Sequence, residues 1–218
     1  MEEIRQKVLV SNSDAHSPAN LGRELTVLET NEKFSFPLLS KILQEGYQSP
    51  AGQISTVEFY PEEGKYHFDG HRVCKVRFSP EQTKKADYLC PECGRYLTVG
   101  VLHRVESLAK DSEPITPEGA KFLYTVPLRE LIAQTVYTAP SSKKVDKIYQ
   151  KVTAEIPEID YLLEAEEPDL IRAGNEQLAQ AVLAMRAGEV ERIAGYDGEY
   201  GIIKVRQKPI SAPQGSLF

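Results

Sequence analysis

The sequence predicts an α+β protein in which a strand-and-helix segment, a zinc-ribbon-like module and a mostly helical region follow one another. Residues 54–60 alternate apolar and polar side chains and are rich in Ile, Val, Phe and Tyr, which is typical of a half-buried strand. All three cysteines fall between residues 74 and 93, close to a histidine. Beyond residue 127, apolar side chains recur at helical spacing in several stretches.

Local patterns predict the other elements. Apolar residues 8–10 predict a buried strand, and Gly46 ends a helix predicted over residues 37–45. Ser79 followed by Pro80 predicts the first turn of another helix. The remaining predicted elements are helices over residues 101–108, 128–137, 143–151 and 170–187, the last with an irregularity at Gly174, and a strand over residues 202–205.

The cysteines form part of a metal-ligand pattern. His71 and Cys74 are separated by two residues, as are Cys90 and Cys93, so two tight turns offer two ligands each. Structural zinc requires four N or S ligands in a tetrahedron, and Gly94 suits the second turn. The pattern therefore predicts a structural Zn²⁺ site. His67 competes with His71 as the fourth ligand, although the spacing favours His71, and the alternative is three unliganded cysteines in a small core.

Basic residues are concentrated in two parts of an acidic chain. Residues 65–110 contain nine Lys or Arg and five Asp or Glu, whereas the whole chain has a net charge of -6. A second group lies on one stripe of the helix predicted to begin after Ser142. Interleaved aromatic residues of the zinc module could stack on bases, although core packing is the alternative for each. The candidate DNA-binding residues are Arg72, Lys75, Arg77, Arg95, Arg104, Lys143, Lys144, Lys147 and Lys151.

An acidic residue and a histidine follow the apolar run at residues 8–10. Asp14 and His16 have one residue between them, so they point to the same side of an extended chain. A carboxylate and an imidazole together can ligate a divalent metal. The alternative is an Asx turn followed by a surface histidine.

Three segments carry a family resemblance. Residues 11–23, which include Asp14 and His16, resemble the last metal motif of the polymerase and histidinol phosphatase (PHP) superfamily. Residues 66–105 and the stretch from Gly195 to Gly201 are similar to segments of endonuclease Q-like proteins of that superfamily. The resemblance implies a metal cluster at the mouth of a βα barrel and an enzyme that nicks DNA 5′ to deaminated or abasic nucleotides.

The resemblance also implies which part of such a protein the chain represents. Residues 1–46 would be the C-terminal remnant of the PHP barrel, 47–110 the zinc-binding module, 111–205 a helical domain and 206–218 a flexible tail. Among the barrel's metal motifs only Asp14 and His16 have counterparts here. Divalent metals would therefore bind there only if the rest of the barrel were supplied, and this chain alone is expected to be inactive.

The last five residues resemble the peptide by which bacterial repair and replication proteins bind the sliding clamp. Gln214, Leu217 and Phe218 would supply one amide and two apolar anchors to a groove on the clamp. An uninvolved tail is the alternative.

The remaining sequence features exclude several classes. No apolar run approaches the roughly 18–20 residues of a membrane span, and the N-terminus is not a signal peptide. Together with the metal-type cysteines, this predicts a cytoplasmic protein without a membrane partner. The sequence therefore predicts a DNA-repair protein that resembles a lesion-nicking endonuclease. The alternatives are a non-catalytic adaptor that binds DNA or the sliding clamp, and a zinc-stabilised interaction domain that does not bind DNA.

Overall fold

The fold is that of a computed structural model, which describes residues 7–109 and 116–206. The chain divides into two compact units, one comprising Met1–Thr125 and Arg192–Ile203, the other Val126–Glu191 and Lys204–Phe218. The described residues form seven strands and eight α-helices, which confirms the α+β class. The strands are β1 (Leu25–Thr30), β2 (Gly52–Phe59), β3 (Asp69–His71), β4 (Val76–Phe78), β5 (Lys121–Thr125), β6 (Val190–Ile193) and β7 (Ile202–Val205). The helices are α1 (Phe36–Glu45), α2 (Pro80–Lys85), α3 (Val101–Leu108), α4 (Leu128–Thr135), α5 (Lys143–Glu155), α6 (Glu158–Leu163), α7 (Glu167–Ala173) and α8 (Glu176–Arg186).

A three-stranded sheet organises the first unit. Its order is β1-β2-β5, with β1 antiparallel and β5 parallel to the central β2. Helix α1 packs Leu38 and Ile42 against Ile54 of β2, which forms a small apolar cluster. The strands of this sheet come from three different predicted regions: β1 from residues 1–46, β2 from residues 47–110 and β5 from residues 111–205.

The N-terminal segment differs from the prediction. Residues 8–10 are not a buried strand, since Leu9 and Val10 remain 54% and 55% exposed. The hydroxyl of Thr26 in β1 accepts from the Ser11 N–H at 2.9 Å and donates to the Ser11 carbonyl at 3.0 Å. A side chain thus pairs with both backbone groups of Ser11, the residue that follows the apolar run. Strand β1, which supplies this partner, was not predicted from the sequence.

Most other predicted elements are present. Helix α1 ends at Gly46, whose positive φ of 84° favours glycine. Helix α2 begins with a reciprocal capping box, in which Ser79 and Gln82 each bind the other's backbone N–H. The helix predicted over residues 170–187 is instead two helices, α7 and α8, that separate at Gly174. A Cβ there would lie 2.4 Å from the Tyr161 hydroxyl. The close packing of Tyr161 against the break therefore requires a glycine at this position.

Five helices make up most of the second unit. Helix α4 packs against α5 and α8, and α7 packs against α8. Their buried apolar residues form the core: Leu128, Leu131, Ile132, Val145, Val152, Tyr161, Leu162, Leu170, Leu178, Val182 and Met185. Among the described residues of both units, no helix combines the length and apolar character that crossing a bilayer requires.

One arginine ties helices α6 and α8 together within the second unit. The guanidinium of Arg186 donates to the carbonyls of Leu162 at 2.8 Å, Ala165 at 2.8 Å and Tyr161 at 2.9 Å. Carbonyls at the end of a helix have no intrahelical donors, and the helix dipole favours a cation there. Arg186 therefore completes the C-terminal end of α6.

Replacement of this arginine should destabilise the helical unit. We expect Arg186→Ala to lower the free energy of unfolding by about 2–4 kcal/mol, because partly buried carbonyls lose charge-assisted donors. Urea unfolding followed by far-ultraviolet circular dichroism measures the loss. Arg172→Ala is the control, since its side chain is 63% exposed and its ion pairs contribute about 1 kcal/mol or less. Equal effects of the two substitutions would contradict the assigned role.

Candidate metal centre

Two turns bring a histidine and three cysteines together. One ligand atom from each of His71, Cys74, Cys90 and Cys93 lies within 4.8 Å of the others. The Cys93 Sγ and the His71 Nδ1 are 3.4 Å apart. Tetrahedral zinc with Zn–S of about 2.3 Å and Zn–N of about 2.0–2.1 Å places such atoms about 3.5 Å apart. The donor set and its spacing thus fit Zn²⁺, as predicted.

The same geometry resolves the choice between the two histidines. His71 ends β3 and directs its ring towards the cysteines, whereas His67 stacks on Phe68 with ring centroids 5.4 Å apart. Among the described residues, His71 and the three cysteines are the group that could hold a metal with three or more ligands.

The two ligand turns share one backbone feature. The residue after the second ligand has a left-handed conformation in each turn, Lys75 with a φ of 56° and Gly94 with a φ of 70°. In the first turn the Lys75 N–H donates to the Arg72 carbonyl at 3.0 Å. In the second, the Gly94 N–H donates to the Cys90 carbonyl at 2.8 Å. Positive φ is costly for lysine and easy for glycine, so only the second turn has the residue that its geometry prefers.

This asymmetry gives a paired prediction. We expect Gly94→Ala to lower the free energy of unfolding of the zinc-loaded protein by about 1–2 kcal/mol, because it places a Cβ at positive φ. Lys75→Gly should raise it by about 0.5–1 kcal/mol by relieving that strain. Chemical unfolding in the presence of zinc measures both. Changes of the same sign would contradict the assigned conformations.

The ligand thiols interact strongly with one another. The hydrogen bond to Cys93 and the proximity of Cys90 raise the pKa of Cys74 to about 12. In contrast, the Arg95 backbone N–H, which hydrogen-bonds to Cys93, lowers the pKa of the Cys93 thiol. Without a cation, adjacent thiolates repel one another and Cys74 keeps its proton. Zinc capture is therefore expected to release protons and to weaken as the pH falls.

A tight hairpin, residues 195–201, packs against the zinc module. Asp197 and Gly198 both have positive φ, 43° and 89°, and Tyr196 and Glu199 exchange backbone hydrogen bonds of 3.0 and 2.8 Å. This is the two-residue type I′ turn that Asp-Gly favours. The family resemblance includes this stretch but implies no role for it. The adjacent Asp197 and Gly198 are the sequence signal that predicts such a hairpin turn.

Glycines allow the hairpin to approach the module closely. A Cβ at Gly201 would lie 1.9 Å from the Glu62 carbonyl oxygen, and one at Gly195 would lie 2.4 Å from the Gly64 carbonyl oxygen. Backbone hydrogen bonds run in both directions, from the Gly195 N–H to Glu62 at 2.7 Å and from the Phe68 N–H to Gly195 at 2.9 Å. The hairpin is thus part of the zinc module although it is distant in sequence.

Asp197 connects the hairpin directly to the first ligand turn. Its carboxylate accepts from the Arg72 N–H at 2.6 Å and from the Thr98 hydroxyl at 2.6 Å. Partial burial acts to raise the pKa of Asp197, but these hydrogen bonds and the nearby His71 and Arg72 outweigh it, so the pKa is lowered. Asp197 was not among the site residues predicted from the sequence, because its contact with Arg72 spans 125 positions.

A buried carboxylate supports the module from inside. Asp69 is fully buried and accepts from the Gly100 N–H at 2.6 Å and pairs with the His103 Nδ1 at 2.6 Å. The other ring nitrogen of His103 lies 3.2 Å from the Tyr88 hydroxyl. The chain of contacts links β3, which ends in His71, to the start of α3. His103 is therefore a structural residue of the module.

Asp14 and His16 lie on an exposed loop. The His16 Nδ1 lies 2.8 Å from the Asp14 backbone carbonyl, and Asp14 has a left-handed φ of 43° rather than extended geometry. The expectation that they project together from an extended strand is therefore wrong. No third ligand joins them within residues 7–109 and 116–206. By themselves they do not form a complete metal site.

The candidate DNA-binding residues are all exposed. This holds for Arg72, Lys75, Arg77, Arg95 and Arg104 in the first unit and for Lys143, Lys144, Lys147 and Lys151 on α5 in the second. Helix α5 begins at the predicted cap, where Ser142 accepts from the Val145 N–H at 3.3 Å. Gln214, Leu217 and Phe218 lie outside the described residues. DNA contact and clamp binding remain predictions.

Comparison with known proteins supplies relatives for both units. Residues 127–189 match the family described as MJ0043 C-terminal domain. The uncharacterized protein MJ0043 of Methanocaldococcus jannaschii is 28% identical over 215 residues, which are 95% of this chain and 27% of that protein. The uncharacterized protein YqxK of Bacillus subtilis is 28% identical over 207 residues, or 94% of this chain and 48% of that protein.

Solved structures share the fold over the whole chain. The lesion-specific endonuclease PfuEndoQ from Pyrococcus furiosus matches with a TM-score of 0.84 and 25% identity, covering 100% of this chain and 54% of that one. An Endonuclease Q bound to a 27-mer duplex with an abasic lesion at its active site matches with a TM-score of 0.79 and 24% identity. That match covers 100% of this chain and 55% of the other. This chain thus spans about half of each solved structure and between about a quarter and a half of each curated relative.

Proposed function

We propose that this chain is the zinc-bearing, DNA-holding part of a lesion-specific endonuclease of the endonuclease Q type within the PHP superfamily. The observation that carries the proposal is the match to a lesion-specific endonuclease over the full chain, with a TM-score of 0.84. Its substrate is DNA that contains deaminated or abasic nucleotides, and its place of action is the cytoplasm.

The zinc site has a structural task in this proposal. Four protein ligands complete a zinc tetrahedron and leave no position for substrate, so zinc here supplies folding energy rather than chemistry. It would fix the two turns that carry Arg72, Lys75 and Arg95. These exposed cations, together with those of α5, would contact phosphates, which contribute affinity without reading sequence.

Nicking requires metal ligands in addition to Asp14 and His16. Both side chains are exposed and available as ligands, but the described residues contribute no others beside them. We therefore expect this chain alone to bind lesion-containing DNA without nicking it, even with Mg²⁺ or Mn²⁺. Metal-dependent nicking of lesion-containing DNA by this chain alone would contradict this expectation.

The lysines of α5 provide a quantitative test of DNA contact. Each phosphate contact that is lost reduces the slope of log affinity against log salt by about 0.9. We expect Lys143→Ala with Lys147→Ala to reduce that slope by about 2 for a duplex containing an abasic site, measured by fluorescence anisotropy. Lys33→Ala with Lys41→Ala is the control, because both lysines are exposed and neither is among the candidate DNA-binding residues, so the slope should stay unchanged. An unchanged slope in the α5 variant would exclude this helix from the interface.

The C-terminal residues carry a separate proposal about a partner. Deletion of residues 214–218 should abolish binding to a bacterial sliding clamp while DNA affinity stays unchanged. Clamp binding that survives the deletion, measured by surface plasmon resonance, would contradict the role of Gln214, Leu217 and Phe218.

A further inference from the structure

Two exposed aromatic rings and two cations surround the tip of the 195–201 hairpin. Tyr66 is 50% exposed and Tyr200 is 70% exposed. The Lys65 ammonium lies over the Tyr200 ring, 4.6 Å from its centroid. The fourth member, Arg72, lies in the first ligand turn of the zinc site. Lys65, Tyr66, Arg72 and Tyr200 are called the hairpin-tip surface below.

Contacts with the hairpin bring these side chains to the same turn in two pairs. A Cβ placed on Gly198 would lie 3.5 Å from the Arg72 Nη1 and 3.6 Å from the Tyr66 hydroxyl oxygen. The Gly198 N–H donates to the Lys65 carbonyl at 3.0 Å, which holds Lys65 and Tyr66 against the same turn. Lys65 thus contacts the Tyr200 ring, while Arg72 and Tyr66 lie beside Gly198 of the same hairpin.

The backbone beneath this surface is fixed before any ligand arrives. The Gly201 N–H donates to the Glu63 carbonyl at 3.0 Å, and Asp197 binds the Arg72 N–H. Both contacts use backbone atoms of residues beside the surface, so its side chains extend from ordered positions. A preformed surface loses less conformational entropy on binding than a flexible one.

The surface offers two cations that no carboxylate of the described residues pairs with. Among the described residues, neither Lys65 nor Arg72 forms an ion pair with a carboxylate within 4.0 Å. Two acids of the turn lie nearby: the Asp197 carboxylate is directed by its hydrogen bonds to the Arg72 N–H and the Thr98 hydroxyl, and Glu199 is exposed. Exposed tyrosines beside cations form the combination that binds single-stranded DNA, with rings stacking on bases and cations contacting phosphates.

We infer that the hairpin-tip surface binds one unpaired nucleotide of DNA. The base stacks on the face of Tyr200 that Lys65 leaves open, and Arg72 and Lys65 contact the flanking phosphates. Tyr66 contributes a second apolar face and a hydroxyl donor. This inference rests on the proposed function, because it assigns a subsite for distorted DNA within the same DNA-holding part.

The absence of tryptophan from the sequence allows a direct test. Tyr200→Trp introduces a single tryptophan, and base stacking should quench its fluorescence. We expect quenching when the zinc-loaded protein is titrated with a duplex containing one unpaired base, and weaker quenching with the fully paired duplex. Tyr137→Trp is the matched control, since Tyr137 is 85% exposed and lies outside the hairpin-tip surface. Equal quenching of both variants, or none in Tyr200→Trp, would overturn the inference.

Affinity measurements supply the second readout. Tyr200→Ala should weaken binding to the duplex with an unpaired base about 5- to 150-fold, the range that loss of one base–aromatic stack produces. Tyr200→Phe, which keeps the ring, should retain the affinity. If the wild-type protein binds DNA but Tyr200→Ala binds both probes as tightly, the inference is wrong and the proposed function stands. If the wild-type protein binds neither probe, both are wrong.

Discussion

Cys90→Ser is expected to remove the zinc and unfold the module that surrounds it. Cys90 is both a ligand and one of three residues, with Val76 and Leu97, that form the buried cluster of the module. So small a core cannot offset the entropy of ordering its chain. Apparent binding free energies of structural zinc are about 10–16 kcal/mol, and here that energy would be folding energy.

The measurement combines metal content with structure. Elemental analysis of the wild-type protein should find about one zinc per chain. The Cys90→Ser variant should contain none and should lose the near-ultraviolet circular dichroism of the module's tyrosines. His67→Ala is the matched control, because His67 stacks on Phe68 and is not a ligand, so this variant should keep its zinc. A protein that is folded without metal would refute the structural zinc site.

The second large effect concerns the buried Asp69. We expect Asp69→Ala to lower the free energy of unfolding by about 3–5 kcal/mol, because it leaves the Gly100 N–H and the His103 ring without their buried partner. Asp69 lies two residues before His71 in β3, so zinc affinity should fall as well. Urea unfolding at fixed free zinc gives the first quantity, and competition with a chelator gives the second.

Two further variants show whether this effect is specific to the buried network. Tyr88→Phe removes only the contact between the tyrosine hydroxyl and His103 and should cost about 0.5–1.5 kcal/mol. Glu81→Ala removes an exposed carboxylate that pairs with Lys85 and should change stability by less than about 1 kcal/mol. An Asp69→Ala variant as stable as Glu81→Ala would show that the buried contacts do not support the module.

Local signals in the sequence predicted much of this structure. The ligand spacing was sufficient to predict the zinc cluster of His71, Cys74, Cys90 and Cys93. Each turn needs only two ligands three positions apart. Ser79 with Pro80 predicted the start of α2, and Ser142 predicted the start of α5. Caps and ligand turns depend on a few adjacent residues, so a single sequence contains the information.

Long-range pairing accounts for what the sequence analysis missed. Residues 8–10 have a strand-like composition but no adjacent strand to pair with among the described residues, whereas β1 pairs with β2 across more than 20 positions. The contact between Asp197 and Arg72 spans 125 positions, and neither residue reveals the other by its local pattern. Loop geometry likewise determined the outcome for Asp14 and His16, because the positive φ of Asp14 departs from the extended backbone on which their side chains would point to the same side.

The most direct test compares two DNA duplexes that differ only at the lesion. The zinc-loaded chain is titrated by fluorescence anisotropy with a duplex containing one abasic site and with the intact duplex, at several salt concentrations. A DNA-holding part of a lesion-specific endonuclease should bind both with an affinity that falls as salt rises, and should bind the abasic duplex more tightly. Folded, zinc-loaded protein that binds neither duplex at low salt would contradict the central claim.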